Sequence, residues 1–94
     1  MNPNTVIVGQ NASISVVPFV AGFVVVFLLD QNTTCEKAAA ASSTPAGGLL
    51  DSQGRVTVKL IDVGTYTMCY ASPGATYDSD YTLKPEHTLT VVHP

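Results

Sequence analysis

Asp62-Val63-Gly64-Thr65-Tyr66-Thr67-Met68-Cys69-Tyr70 constrains this chain more than any other stretch, because a turn there feeds directly into a strand. Asp62 and Gly64 bring the turn chemistry: an Asp side chain accepts from nearby backbone N–H groups, and glycine tolerates positive φ. From Thr65 to Ala71 small polar and large side chains then alternate. That period of two sets Tyr66, Met68 and Tyr70 on one face and Thr65, Thr67 and Cys69 on the other. The segment therefore reads as a half-buried strand.

The 94 residues suffice for one domain, spanning 1–94, with one modest core. Hydrophobic residues make up 46% and charged residues 12%, a balance that favours a packed globule over disorder. The formal charge is −3, and the four basic residues, Lys37, Arg55, Lys59 and Lys84, are scattered singly. A nucleic-acid partner needs a clustered basic face to neutralise phosphates, and so does an acidic membrane surface. Neither fits this chain.

The apolar run from Ala12 to Leu29 is 18 residues long and is broken by Ser13, Ser15, Pro18 and Gly22. A membrane helix wants about 20 apolar residues with basic anchors nearby, and a signal peptide wants a basic start. The first basic residue is Lys37, beyond the run. Val and Phe enrichment with Pro and Gly punctuation predicts two strands and a turn instead, with no membrane insertion.

The remaining strands follow from the same pattern. Thr5 to Val8 is a short strand, and Ala12 to Phe19 places Ile14 and Val16 opposite Ser13 and Ser15. Phe23 to Leu29 is a third strand, apolar on both faces. Ala38 to Gly48 is an Ala/Ser-rich connection, read as an exposed loop with at most a short helix or edge strand, since Pro45 and the Gly pair end any helix. Arg55 to Ile61 turns Val56, Val58 and Leu60 inward. After the Tyr66 strand a long hairpin with Tyr77 to Tyr81 near its tip leads to a last strand, Thr88 to Val92. Strands at this spacing without a strong amphipathic helix predict an all-β, seven-stranded sandwich.

The Asp-x-Gly-x-Tyr run at Asp62, Gly64 and Tyr66 resembles the corner that leads into the sixth strand of immunoglobulin-like sandwiches. The resemblance extends through the hairpin to the closing Leu89-Thr90-Val91-Val92 strand, and implies that the Tyr66 hydroxyl bonds back to the backbone. One departure matters. In that family the half-cystine lies two residues after the Tyr and faces the core. Here Met68 holds that position and Cys69 follows it, so the sulfur lies on the opposite face. Cys35 also comes after the third strand rather than within the second. A bridge in this chain would tie the outer surface of the sixth strand to the segment after the third. The absence of Trp argues against the antibody type, and bacterial Ig-like, filamin-like or cadherin-like repeats fit as well.

Two cysteines outside any metal-binding spacing favour a disulfide, Cys35 to Cys69, over two buried free thiols in a cytosolic domain. Two N-x-S/T sequons begin at Asn11 and Asn32, so both are glycosylation candidates in a secreted or surface setting. His87 and His93 have no nucleophile turn or metal spacing to work with, so no catalytic residue, metal site or cofactor is expected.

The candidate partner contact is Tyr77, Asp78, Asp80 and Tyr81, where tyrosines offer rigid amphipathic area and the carboxylates could attract a cation or a basic partner. The alternative is a solvated acidic hairpin tip. The apolar outer face of the third strand awaits either a neighbouring domain or subunit, or the Ala-rich connection folded over it. The resemblance implies a non-catalytic extracellular or cell-surface module, one of several in a longer protein, acting in adhesion or as a spacer with a protein partner rather than a small-molecule ligand. An intracellular structural repeat that builds scaffolds, or a carbohydrate-binding module using the tyrosine pair, are the alternatives.

Overall fold

The computed structural model describes residues 3–17, 19–29 and 35–94. Among these residues seven strands run in chain order: β1 (Thr5–Ile7), β2 (Asn11–Ser15), β3 (Val24–Leu29), β4 (Gly47–Leu49), β5 (Arg55–Lys59), β6 (Gly64–Ala71) and β7 (Thr82–Val92). A one-turn helix, α1 (Ala38–Ala41), stands between β3 and β4. No helix among the described residues is long and apolar enough to cross a membrane.

Five strands form a mixed sheet in the order β1-β7-β6-β3-β4, and β2 pairs with β5 as a separate ribbon. Only β1 is parallel to its neighbour, β7; the other pairs are antiparallel. The larger sheet curls over the ribbon as a half-barrel. The two layers meet along β4, where Lys59 N donates to Pro45 O at 2.9 Å. Gly47 and Gly48 permit this crossing. A Cβ at Gly47 would stand 2.6 Å from Val26 Cγ1, and one at Gly48 would stand 3.0 Å from Val56 Cγ2.

Alternation along each strand decides which side chains fill the space between the layers. Ile14, Val16, Val25, Phe27, Val56, Val58, Leu60, Tyr66, Met68, Leu89 and Val91 are buried there in one cluster. Tyr70, expected inward with Tyr66 and Met68, is only half-buried against that cluster. The opposite faces of β3 and β6 are buried too. Val26, Leu28, Cys69 and Ala71 form a second cluster with Cys35, Ala38 and Tyr81.

Three expectations need correction. The second strand stops at Ser15 instead of reaching Phe19, and Val17, Phe19 and Val20 are exposed beyond it. The last strand begins at Thr82, six residues before Thr88, because the hairpin closes early. Its register against β6 slips between Thr67 and Met68, from Thr67↔Thr88 to Met68↔Lys84, which leaves Pro85, Glu86 and His87 as a bulge. Finally, the Ala-rich connection carries the short helix and the edge strand foreseen for it but is not exposed throughout, since Ala38 is fully buried.

Phe27 is 1% exposed at the centre of the inner cluster. Phe27→Ala should cost about 3–5 kcal/mol, seen as a lower midpoint in urea unfolding with an unchanged slope.

Candidate functional site

The outer face of β3 and β6 is covered by an assembly whose parts come from two segments, residues 35–44 and the hairpin after β6. Four alanines are too few to hold a helix by themselves, since every carbonyl at a helix end needs a partner. The next three residues supply them. The hydroxyls of Ser42, Ser43 and Thr44 donate to the carbonyls of Ala39, Ala40 and Ala41 at 2.7, 3.0 and 2.7 Å. At the other end Lys37 takes a left-handed backbone conformation, φ 72°. A left-handed residue leading into a right-handed turn makes successive N–H groups converge as an anion-binding nest. The carboxylate of Asp78 fills it, accepting from Lys37 N and Ala39 N at 2.8 Å each. Cys35 and Cys69 are disulfide-bonded beneath, with Cα atoms 6.0 Å apart.

This arrangement changes the reading of the hairpin tip. Asp78 is engaged by α1, and Asp80 accepts from Thr76 N and Tyr77 N at 3.0 Å each. Tyr81 is buried in the outer cluster. Of the four candidate contact residues only Tyr77 presents an exposed ring, at 70% exposure. The tip thus acts as a clasp within the chain: its two carboxylates are hydrogen-bonded to backbone N–H groups, Tyr81 is buried and Tyr77 is exposed. Among the described residues no cluster of His, Cys, Asp and Glu could hold a metal ion.

Electrostatics agree with that role. The N–H groups of Ala39 and Lys37 hold the Asp78 carboxyl below the usual range, and those of Tyr77 and Thr76 do the same for Asp80. Asp51 is lowered likewise by the N–H groups of Arg55 and Gln53, at the turn into β5.

The other residues singled out in the sequence lie elsewhere. Tyr66 Oη donates to Asp62 O at 2.8 Å and ties the turn at Gly64 to the start of β6. Asn11 is exposed at the first position of β2. Asn32 lies outside the described residues.

On the inner side of the main sheet, at the end where the β2–β3 connection lies, a cleft of about 340 Å³ opens between the layers. Val16, Val25, Leu50 and Met68 contribute to its floor, Phe19, Val20 and Phe23 line it from the β2–β3 connection, and Lys84, Glu86 and His87 line it from β7. Phe23 stacks on Tyr70 with centroids 5.9 Å apart, and Lys84 Nζ lies 5.0 Å from the Tyr70 centroid. Lys84 also stands 4.0 Å from a Glu86 carboxylate oxygen. With Phe23 and Lys84 both set against it, the Tyr70 ring is no open stacking platform for a sugar. The cleft escaped sequence reasoning because its polar wall is made by the β7 bulge. Pro85 within an otherwise alternating strand was the one available signal.

No protein-family profile, no curated protein and no solved structure matches this chain.

Two tests separate the roles assigned here. Asp78→Ala should speed amide exchange over residues 37–41 while leaving β2 and β5 protected. Because the three aspartate pKa values are depressed, their stabilisation is complete above the ordinary value of about 3.9 and is lost as pH falls through the lowered values. An acid titration of wild type should therefore show stability falling below that point, and the variant should show a smaller fall. The two buried tyrosines should also differ. Tyr66→Phe loses the bond to Asp62 O and should cost about 1 kcal/mol. Tyr81 Oη has no hydrogen-bond partner among the described residues, so thermal melts of Tyr81→Phe should show no loss.

Proposed function

We propose that this chain is a non-catalytic immunoglobulin-like module of an oxidising compartment, secreted or at the cell surface, acting in protein–protein interaction, adhesion or spacing. The observation that carries the reading is the Cys35–Cys69 bridge, in which Cys69 is fully buried and Cys35 is 9% exposed. Such bonds persist in secreted proteins and are rare where glutathione keeps thiols reduced.

Strand order supports the sandwich type. β6 lies between β3 and β7, a short first strand runs parallel to the last, and β2 and β5 make the facing layer. The Tyr66 hydroxyl bond to Asp62 O is the corner contact of that family. Asn11 is exposed and open to glycosylation, as a secreted setting would allow. The scaffold alternative relied on edge pairing or on a free apolar face of β3, and of these the β3 face is already covered within the chain at Val26 and Leu28. The sugar-binding alternative relied on Tyr77 and Tyr81, and Tyr81 is buried.

Protein recovered from its native source should give no thiol reaction until it is denatured with reductant. Two freely reactive thiols would overturn the oxidised reading. The bridge closes a loop of 34 residues in sequence separation, so its removal in a Cys35→Ser, Cys69→Ser double variant should cost about 3–4 kcal/mol by chain entropy.

A further inference from the structure

The cleft between the layers holds a charged group where a sandwich interior is ordinarily apolar. Lys84 stands opposite Met68 in the β6–β7 register, so the two side chains share the inner face of the main sheet. Alternation along an antiparallel strand reserves that face for apolar residues. Around Lys84 the floor is aliphatic, since Val16, Val25, Leu50 and Met68 are each no more than 5% exposed. Among the described residues, the charged and imidazole side chains that line the cleft are Lys84, Glu86 and His87, all from β7. Charge is thus confined to one wall. On the β2–β3 side Phe19 lies close over Gly54, where a Cβ would stand 2.5 Å from the ring.

We infer that this cleft is a binding site for an aliphatic monocarboxylate, its chain on the floor and its carboxylate against Lys84. The Lys84 ammonium carries three donors. Its Nζ is 4.0 Å from Glu86 Oε1, beyond hydrogen-bond reach, and 5.0 Å from the Tyr70 ring centroid. With no acceptor closer among the described residues, a carboxylate brought by a ligand meets unfilled donors and gains a short charge-assisted bond. A plain hydrocarbon would strip water from the ammonium and give nothing back. The tail follows from floor and size. Tyr70 already has Phe23 and Lys84 set against its ring, so neither a sugar nor a flat aromatic acid finds a free face there. An apolar cavity of about 150 Å³ takes one benzene, so about 340 Å³ has room for on the order of a dozen non-hydrogen atoms. A straight acid of about ten carbons meets that figure.

Glu86 opposes the same carboxylate, and its weight is small. Its side chain is 58% exposed against 36% for Lys84, so solvent screens it more. His87, half-buried, offers a ring N–H in either protonation state. An ammonium and an N–H together outweigh one solvated carboxylate, and an alkylammonium ligand would meet the reverse balance. Exposed Phe19 and Val20 gain cover from the bound chain. The inference goes beyond the interaction module proposed above and does not depend on its compartment, its glycosylation or its protein partner.

The test titrates the whole oxidised chain with straight carboxylates from hexanoate to tetradecanoate and follows the methyl signals of Val16, Val25 and Met68. Affinity should rise about fourfold for each added methylene and level off near decanoate. Decanol should bind about tenfold more weakly than decanoate, and decylammonium more weakly still. In Lys84→Met, which keeps the stem, decanoate should fall to the level of decanol, whereas Glu86→Gln should bind decanoate more tightly than wild type. Equal binding of decanoate and decanol by wild type would show an apolar cleft indifferent to charge and overturn the inference. So would tighter binding of decylammonium, no saturable binding by any acid, or signal changes confined to Val26 and Leu28 on the outer face. The wild-type series decides the matter even where a variant fails to fold. Because the titration reads the cleft and the thiol assay reads compartment, each can fail without the other.

Discussion

A strand pair that is apolar on both faces cannot stand as one wall of an ordinary two-layer sandwich, and β3 with β6 is such a pair. Val25, Phe27, Tyr66 and Met68 point into the space shared with the β2–β5 ribbon, while Val26, Leu28, Cys69 and Ala71 point the other way. Each large side chain left in water there would forfeit about 1.5–3 kcal/mol of burial. The outer cover exists for this reason. It explains why Ala-rich chain is spent on a single helical turn, why its side chains are small enough to approach the sheet, and why the hairpin after β6 folds back.

That cover is held by three interactions of different kind. A covalent bond joins Cys35 to Cys69, the Asp78 carboxylate occupies the nest at Lys37 and Ala39, and the Ser42-Ser43-Thr44 hydroxyls close the helix carbonyls. The bridge limits how far the cover can move, and the hydrogen bonds set its orientation. In the immunoglobulin-like sandwiches that the Tyr66 corner resembles, the bridge crosses between layers. Here Cys69 lies on the opposite face of β6 from Met68, so the covalent tie is on the outer side of the main sheet and Met68 packs in the inner cluster.

The functional consequence is a redistribution of surfaces. At the hairpin tip Asp78 and Asp80 bind the chain to itself while Tyr77 stays exposed, and the outer face of β3 is covered at Val26 and Leu28. What stays accessible is the opposite side, where the ribbon has only two strands and the main sheet has five. A two-strand layer cannot cover a five-strand sheet. The cleft beneath Phe19 and Val20 follows from that mismatch.

The chain order of residues was enough to separate Tyr66 and Met68 from Thr67 and Cys69, and to place Ile14, Val16, Val56, Val58 and Leu60 together, because strand alternation is a local rule written in neighbouring side chains. It was also enough to show that the third strand needed covering. The Ala-rich connection was one of the two covers it offered, and Ala38 packs there; that the hairpin would clasp it lay beyond reach, since the bonds from Asp78 to Lys37 and Ala39 link residues about forty positions apart, and a carboxylate on an acidic hairpin looks the same in sequence whether solvated or engaged. The same holds for the cleft. Lys84, Glu86 and His87 meet Val16 and Phe19 only because β7 slips register against β6 and the ribbon stops short. Side-chain direction along a strand was thus decided by sequence alone, while the pairing of distant surfaces was decided by tertiary packing, where burial is shared among segments that carry no mark of one another.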